Sequence, residues 1–248
     1  VFNLYKRLGD QQALARLVET VGTSFIAKGK INRLAEWLEF VPENAIQDKL
    51  HLISLRASIL VNQGSLQEGT LLLNKAISQA EKLENYEKLA ENLVRRSVAL
   101  RLLGNYKLSL DDADRALGIM HDHGGSESNR AEALRAKGVN LYQQGKLKDA
   151  LQWLDRSLVI YEKEKHEQDI ARLLVEIGAV NESLGNHEAA EKAYKRSLVY
   201  WQSIGDSIWQ SNLLNNLGVL QHAKGDFENS FYNLEKALQY AHANGNLQ

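Results

Sequence analysis

A glycine closes a helix-like segment at Gly64, Gly104, Gly145, Gly185 and Gly225, at spacings of 40, 41, 40 and 40 residues. A period of that size marks a solenoid of helical hairpins, because one hairpin cannot bury its apolar face alone and must stack on the next. Such a chain offers an extended surface. The activity it points to is recognition rather than bond-making chemistry.

The period holds in further columns. Seven residues before each glycine stands a small residue, Ala57, Ser97, Gly138, Gly178 and Gly218, and eleven before it an aliphatic one, Ile53, Leu93, Leu134, Leu174 and Leu214. Five residues after it come Gly69, Ser109, Ala150, Ala190 and Ser230. Twelve after it come Ala76, Ala116, Ser157, Ser197 and Ala237, each followed by Ile or Leu. Small residues allow two antiparallel helices to approach closely, and the aliphatic ones fill the seam at helical spacing. The glycine takes the left-handed conformation that ends the first helix. Asn105, Asn186 and Asp226, directly after it, suit the start of the second. An earlier unit carries Gly22 and Gly29, 35 residues before Gly64, with Ile31 and Leu34 opening its second helix.

These columns predict an all-α chain of about six hairpins forming a single domain over 1–248. The paired helices fall at 11–28 and 30–41, 46–63 and 66–84, 86–103 and 106–122, 127–144 and 147–164, 167–184 and 187–204, and 207–224 and 227–244. The repeats therefore run over about 11–41, 46–84, 86–122, 127–164, 167–204 and 207–244. His121 to Ser126, with two histidines and Gly124-Gly125, reads as a flexible link. Residues 1–8 resemble the tail of a preceding second helix, and Gly245 stands where another unit would begin. The expectation is a piece of a longer solenoid with apolar end faces and a tendency to end-to-end self-association.

Composition narrows the function classes. Thirty basic residues against 31 acidic give a net charge of −1, without the basic stripe that binds phosphates, so direct contact with nucleic acid is not expected. The densest basic group, Arg95, Arg96 and Arg101, has Glu84, Glu87 and Glu91 upstream and reads as a solvated helix face. No apolar run is long enough for a membrane span. The absence of cysteine fits a cytoplasmic protein without a disulfide framework. Phosphate-loop, nucleophile-elbow, zinc-helix and dinucleotide fingerprints are all missing, and the His121/His123 pair has no further ligand at usable spacing, so neither enzyme activity nor a cofactor or metal is expected. Trp153, Tyr194, Tyr232 and Trp37 read as packing residues. Trp201 and Trp209, flanking Gly205, read as a staple between neighbouring units.

The small residue, helix-ending glycine and paired small residues of Gly138, Gly145, Ala150 and Ser157, or of Gly178, Gly185, Ala190 and Ser197, resemble the tetratricopeptide repeat (TPR). The family's closing proline is absent from every unit and the period is longer. Both features resemble the longer-helix subtype of bacterial MalT-like transcription regulators and of scaffolds such as LGN/Pins, as does the Gly-Asp of Gly9-Asp10 and Gly205-Asp206. Gly29 to Pro42, with its Trp37-Leu38 and Pro42, followed by His51 to Gly64, is similar to the segment opening the TPR sensor of MalT-like signal-transducing ATPases (the STAND class).

The resemblance implies a right-handed superhelix whose first helices line a concave surface. It places Arg16, Glu19, His51, Arg101, Glu132, Arg135, Tyr142, Arg172, Glu182, Asn215 and His222 there. These residues would hold a small-molecule effector or a peptide or protein partner, the chain acting as the sensor of a STAND-class regulator or as a stand-alone peptide-binding scaffold. The chaperone-type carboxylate clamp does not fall in these columns.

Overall fold

In the computed structural model, which describes residues 1–27 and 29–243, the chain is helical throughout and has no strand among the described residues. Its contacts group into two compact units, Val1–Asn129 and Arg130–Gln248. The first contains α1 (Phe2–Leu8), α2 (Gln11–Ala27), α3 (Ile31–Leu38), α4 (Glu43–Asp48), α5 (Leu50–Asn62), α6 (Leu66–Lys82), α7 (Tyr86–Leu102) and α8 (Tyr106–His123). The second begins within α9 (Glu127–Gln143) and continues through α10 (Leu147–Glu164), α11 (Glu167–Ser183), α12 (His187–Ser203), α13 (Ser207–Ala223) and α14 (Phe227–Ala243). Gly245 lies outside the described residues.

Each hairpin is closed by the glycine of the period. At Gly145 the backbone is left-handed (φ 75°), its N–H donates to the Tyr142 carbonyl at 2.9 Å, and the N–H of Lys146 donates to that of Leu141 at 2.9 Å. This double bond satisfies carbonyls that the helix end leaves free. Where one hairpin passes to the next, Glu84 and Lys165 adopt the same conformation with side chains attached (φ 50° and 57°).

The following residue caps the next helix in some positions only. Asp10 accepts from the Ala13 N–H at 2.9 Å, Asp206 from that of Trp209 at 3.1 Å and Asp226 from that of Asn229 at 3.3 Å. Asn105 and Asn186 occupy the expected N-cap positions but make no capping bond through their side chains. Asn186 instead donates to the Asn181 side chain at 3.3 Å.

The small-residue columns meet as the sequence requires. In α7 and α8, Ser97 Oγ donates to the Ser109 carbonyl at 2.7 Å and Ser109 Oγ bonds back to the Ser97 carbonyl, with both residues fully buried. In α13 and α14, Ser230 Oγ donates to the Gly218 carbonyl at 2.8 Å. A Cβ on Gly138 would lie 3.1 Å from the Ala150 carbonyl and 2.7 Å from Leu154, and one on Gly178 would lie 2.3 Å from the Tyr194 ring.

Aliphatic side chains fill the seams, among them Leu52, Leu55 and Leu34 in the first unit and Leu213, Leu217 and Leu220 in the second. Trp201 and Trp209 stack at 4.8 Å between ring centroids, stapling α12 to α13. Trp37 stacks on Phe2 at 4.3 Å, and Tyr194 is buried. Tyr232 is not a packing residue, being half-exposed beneath Lys236.

Two segments differ from the expectation. The helix expected over 46–63 is broken at Lys49, which is extended (φ −112°, ψ 111°) and starts a new helix at Leu50. The break lets Val41 and Ile46 join the core around Leu34 and Leu55 while α5 keeps its own register. The link expected over His121–Ser126 is helical through His123, because Met120 is buried and the His123 ring stacks on Tyr86 at 3.6 Å.

The glycine contacts set a clear expectation for stability. Gly178→Ala overpacks the α11–α12 contact against a ring that cannot fold away and should cost about 1–3 kcal/mol. Gly118→Ala, on the exposed face of α8 with nothing within 4 Å, should stabilise by about 0.5–1 kcal/mol. Urea midpoints of the two variants check both signs.

Candidate functional site

The first helices of successive hairpins (α2, α5 and α7 in the first unit, α9, α11 and α13 in the second) carry the sequence-selected polar residues. In the second unit Arg135 of α9 donates from Nε and Nη2 to the two carboxylate oxygens of Glu176 on α11, at 2.8 and 2.7 Å. Its Nη1 lies 3.3 Å from both oxygens of Glu132 one turn earlier. Tyr161 of α10 donates its hydroxyl to Glu132 at 2.8 Å. Burial alone would raise the Glu132 carboxyl, but Arg135 and the Tyr161 hydroxyl outweigh it and hold the group below the usual range. Burial and the neighbouring Glu132 push the Tyr161 phenol upward.

Glu182 accepts the Tyr194 hydroxyl at 2.9 Å, and burial together with this bond raises the Tyr194 phenol. Tyr142 lies 3.3 Å from Ser183 through its hydroxyl, and Arg172 approaches Asp169 only to 3.9 Å. Asn215 is exposed in a cleft of about 480 Å³ with Asn212, Asn216 and Ser211. His222, also exposed, sits edge-on to Phe227.

In the first unit the inner columns bring Glu19 and His51 together: His51 Nε2 is 2.9 Å from the Glu19 carbonyl, and Lys49 Nζ pairs with the Glu19 carboxylate at 2.8 Å. Arg16 is exposed and its guanidinium makes no bond or ion pair among the described residues. Arg101 is half-buried in the last turn of α7.

The basic group of Arg95, Arg96 and Arg101, read as a solvated face, is half-buried instead. Glu91 is buried, paired with Lys88 at 2.6 Å and with Arg95. Arg96 turns to α8 and grips Asp112 with two bonds of 2.7 Å. Burial would raise the Glu91 carboxyl, yet Arg95 and Lys88 hold it below 4.5. Burial, reinforced by Lys88, lowers the His51 imidazole below 6.5. Glu176, Lys88 and Lys49 were missed in the sequence: the partners of Glu176 and Lys49 lie on other helices, and Lys88 pairs within α7 with a glutamate whose burial the sequence does not show. The available signal was a column of opposite charges one position apart in successive repeats.

Among the described residues no group of three or more His, Asp or Glu is placed to hold a metal, and no helix is long and apolar enough to cross a membrane.

A tetratricopeptide-repeat family model matches residues 89–163 and 169–241, more than half of the chain. The chain belongs to the tetratricopeptide-repeat family. No curated protein matches it. Several solved TPR-like structures share its fold. BtubC (BKLC) from P. vanneervenii is 18% identical, with 94% of this chain and 93% of that chain covered and a TM-score of 0.70. The STAND protein PH0952 from Pyrococcus horikoshii, which has a tetratricopeptide-repeat sensor, is 18% identical with a TM-score of 0.75; the match covers 97% of this chain and 36% of that one. A Rap protein complexed with Competence and Sporulation Factor is 12% identical, with 90% and 73% covered and a TM-score of 0.65.

Two outcomes follow for the TPR inner face. Arg135→Met leaves two half-buried carboxylates without their cation and should cost roughly 1–3 kcal/mol, less than a fully buried pair because solvent still reaches the group. Arg135 is accordingly a poor probe of ligand binding. The second concerns pH. A group whose folded pKa is depressed stabilises the fold above its unfolded value and loses that contribution as pH falls. His51 should therefore lower the thermal midpoint as pH falls below 6.5, and Glu91 should lower it further below 4.5. His51→Gln should abolish the first decline and keep the second, as read by thermal melts across the range.

Proposed function

We propose that this TPR chain is a recognition module without catalytic activity, and that it serves as the sensor of a STAND-class regulator of the MalT-like kind. A peptide segment or small effector would bind along the first-helix face. Binding would shift an attached switch only by as much as the ligand prefers one of its states. The observation that carries this reading is the match of nearly the whole chain to about a third of PH0952, a STAND protein with a TPR sensor. The Gly29–Pro42 segment supports it from the sequence side.

The residues proposed for contact are those whose polar atoms are not consumed within the fold: Arg16 in the first unit, and Arg172, Asn215 and His222 in the second. Asn215 offers an amide that both donates and accepts, as a peptide backbone requires. Arg135, Glu132 and Glu182 shape and stiffen the face from behind. Partner recognition by this fold is supported by the Rap protein, a structural neighbour complexed with Competence and Sporulation Factor.

A scaffold that binds partner peptides with no switch attached is the second reading. It is favoured by BtubC, where a TPR fold of the same extent makes up nearly the whole crystallised chain.

Sequencing the gene upstream of Val1 separates the two: an in-frame nucleotide-binding domain sustains the sensor, and its absence leaves the scaffold. For the face itself, a displayed peptide library panned against the chain should yield binders that weaken about tenfold (about 1.4 kcal/mol) on Asn215→Ala or His222→Ala. The same binders should be indifferent to Lys236→Ala on α14. Equal affinity for all three variants, with helicity retained, would remove the first-helix face from the reading.

A further inference from the structure

The chain departs from its own repeat once, and a positively charged cleft lies at that departure. Elsewhere a second helix passes to the next first helix through two or three residues, as from α6 to α7 or from α10 to α11. Between α3 and α5 the chain instead inserts α4 and the extended Lys49. A cleft of about 440 Å³ lies between this insertion and α2, a volume within the range of small-ligand sites.

Its polar lining is Arg16, Lys49, Gln11, Gln12 and Asn44. The other described lining residues are apolar, and no carboxylate lines the cleft among the described residues. Three nearby acids, Asp10, Glu43 and Glu19, are committed to other partners. Asp10 caps α2 through the Ala13 N–H, and Glu43 is held by Arg56 and Gln47. Glu19 takes one proton of the Lys49 ammonium, which leaves two others to donate. Asn44 accepts the Ala45 N–H through Oδ1 at 2.9 Å, so its amide hydrogens remain as donors.

Arg16 completes the set. In the same unit Arg56, Arg95, Arg96 and Arg115 each grip a carboxylate; the Arg16 guanidinium grips none among the described residues. An arginine fork, an ammonium and three amides around an open cleft lack one thing, an acceptor with two or three oxygens.

We propose that the cleft between α2 and the α4 insertion binds an oxyanion, the carboxylate or phosphate group of a small ligand, with Arg16 as its fork and Lys49 as the second cation. The inference deepens the recognition reading by naming a ligand chemistry, and it rests on that reading.

Calorimetric titration of the full chain at low ionic strength tests it, with glutarate and inorganic pyrophosphate as separate probes. Saturable binding of either supports the cleft, and the stronger probe names the source as carboxylate or phosphate. Arg16→Gln and Lys49→Gln should each weaken that binding by roughly tenfold, as expected for one charge-assisted contact. Arg33→Gln, an exposed arginine outside the cleft, should leave it unchanged. Circular dichroism and unchanged urea midpoints confirm that each variant is folded. No saturable binding by either probe up to about 1 mM, or equal affinity in Arg16→Gln, overturns the cleft. Because peptide binding is read on the same protein, its survival shows that only the cleft has failed.

Discussion

Everything in this fold depends on how closely two helices of a hairpin can approach at one pair of small residues. In α7 and α8 the approach is so tight that Ser97 and Ser109 each bond to the other's backbone carbonyl. In α9 and α10, glycine at 138 leaves only enough room for the Leu154 side chain and the Ala150 carbonyl. Once the backbones are locked at that distance, the aliphatic residues on either side have a single seam to fill, and a positive-φ residue must turn the chain at a fixed remove. The period of about 40 residues is that contact, repeated.

Stacking within each unit half-buries the polar side of its first helices against neighbouring helices. Charges placed there lose part of their hydration and must find partners. Arg135 with Glu176 and Tyr161 with Glu132 meet that demand between helices, and Glu91 with Lys88 and Arg95 meets it within α7. The face is thereby divided. Some polar residues tie hairpins together, while Arg16, Asn215 and His222 keep their polar atoms turned to solvent.

The hairpins, their glycine caps and the Trp201–Trp209 staple were legible in the sequence because each repeats or sits beside a repeated position. Four details of the described helices were not, and each for a local reason. The break at Lys49 leaves no proline or glycine at the break itself, only Pro42 seven residues earlier. His121 and His123 look like loop residues beside two glycines, but burial of Met120 and the Tyr86 stack extend the helix past them. Asn105 and Asn186 have the chemistry of caps without making the bond. Glu91 shares its helix with basic neighbours in the pattern of an exposed surface; only the packing of α5 and α6 against α7 reveals the burial.

The candidate site was the least legible part, and the physical cause is general to stacked hairpins. Charge in an inner column satisfies two different requirements, cohesion between repeats and contact with a guest, and the amino-acid letters are the same for both. The partner's offset separates them. Arg135 meets its carboxylate 41 residues on, in the column one position from its own, whereas the matching step from Arg16 reaches no acid. In a periodic fold, an inner-column cation lacking its counterpart in the next repeat is the one left available. Here that cation coincides with the one place where the period itself is interrupted, so the features that weaken the repeat are also those that open a cleft beside an unpaired charge.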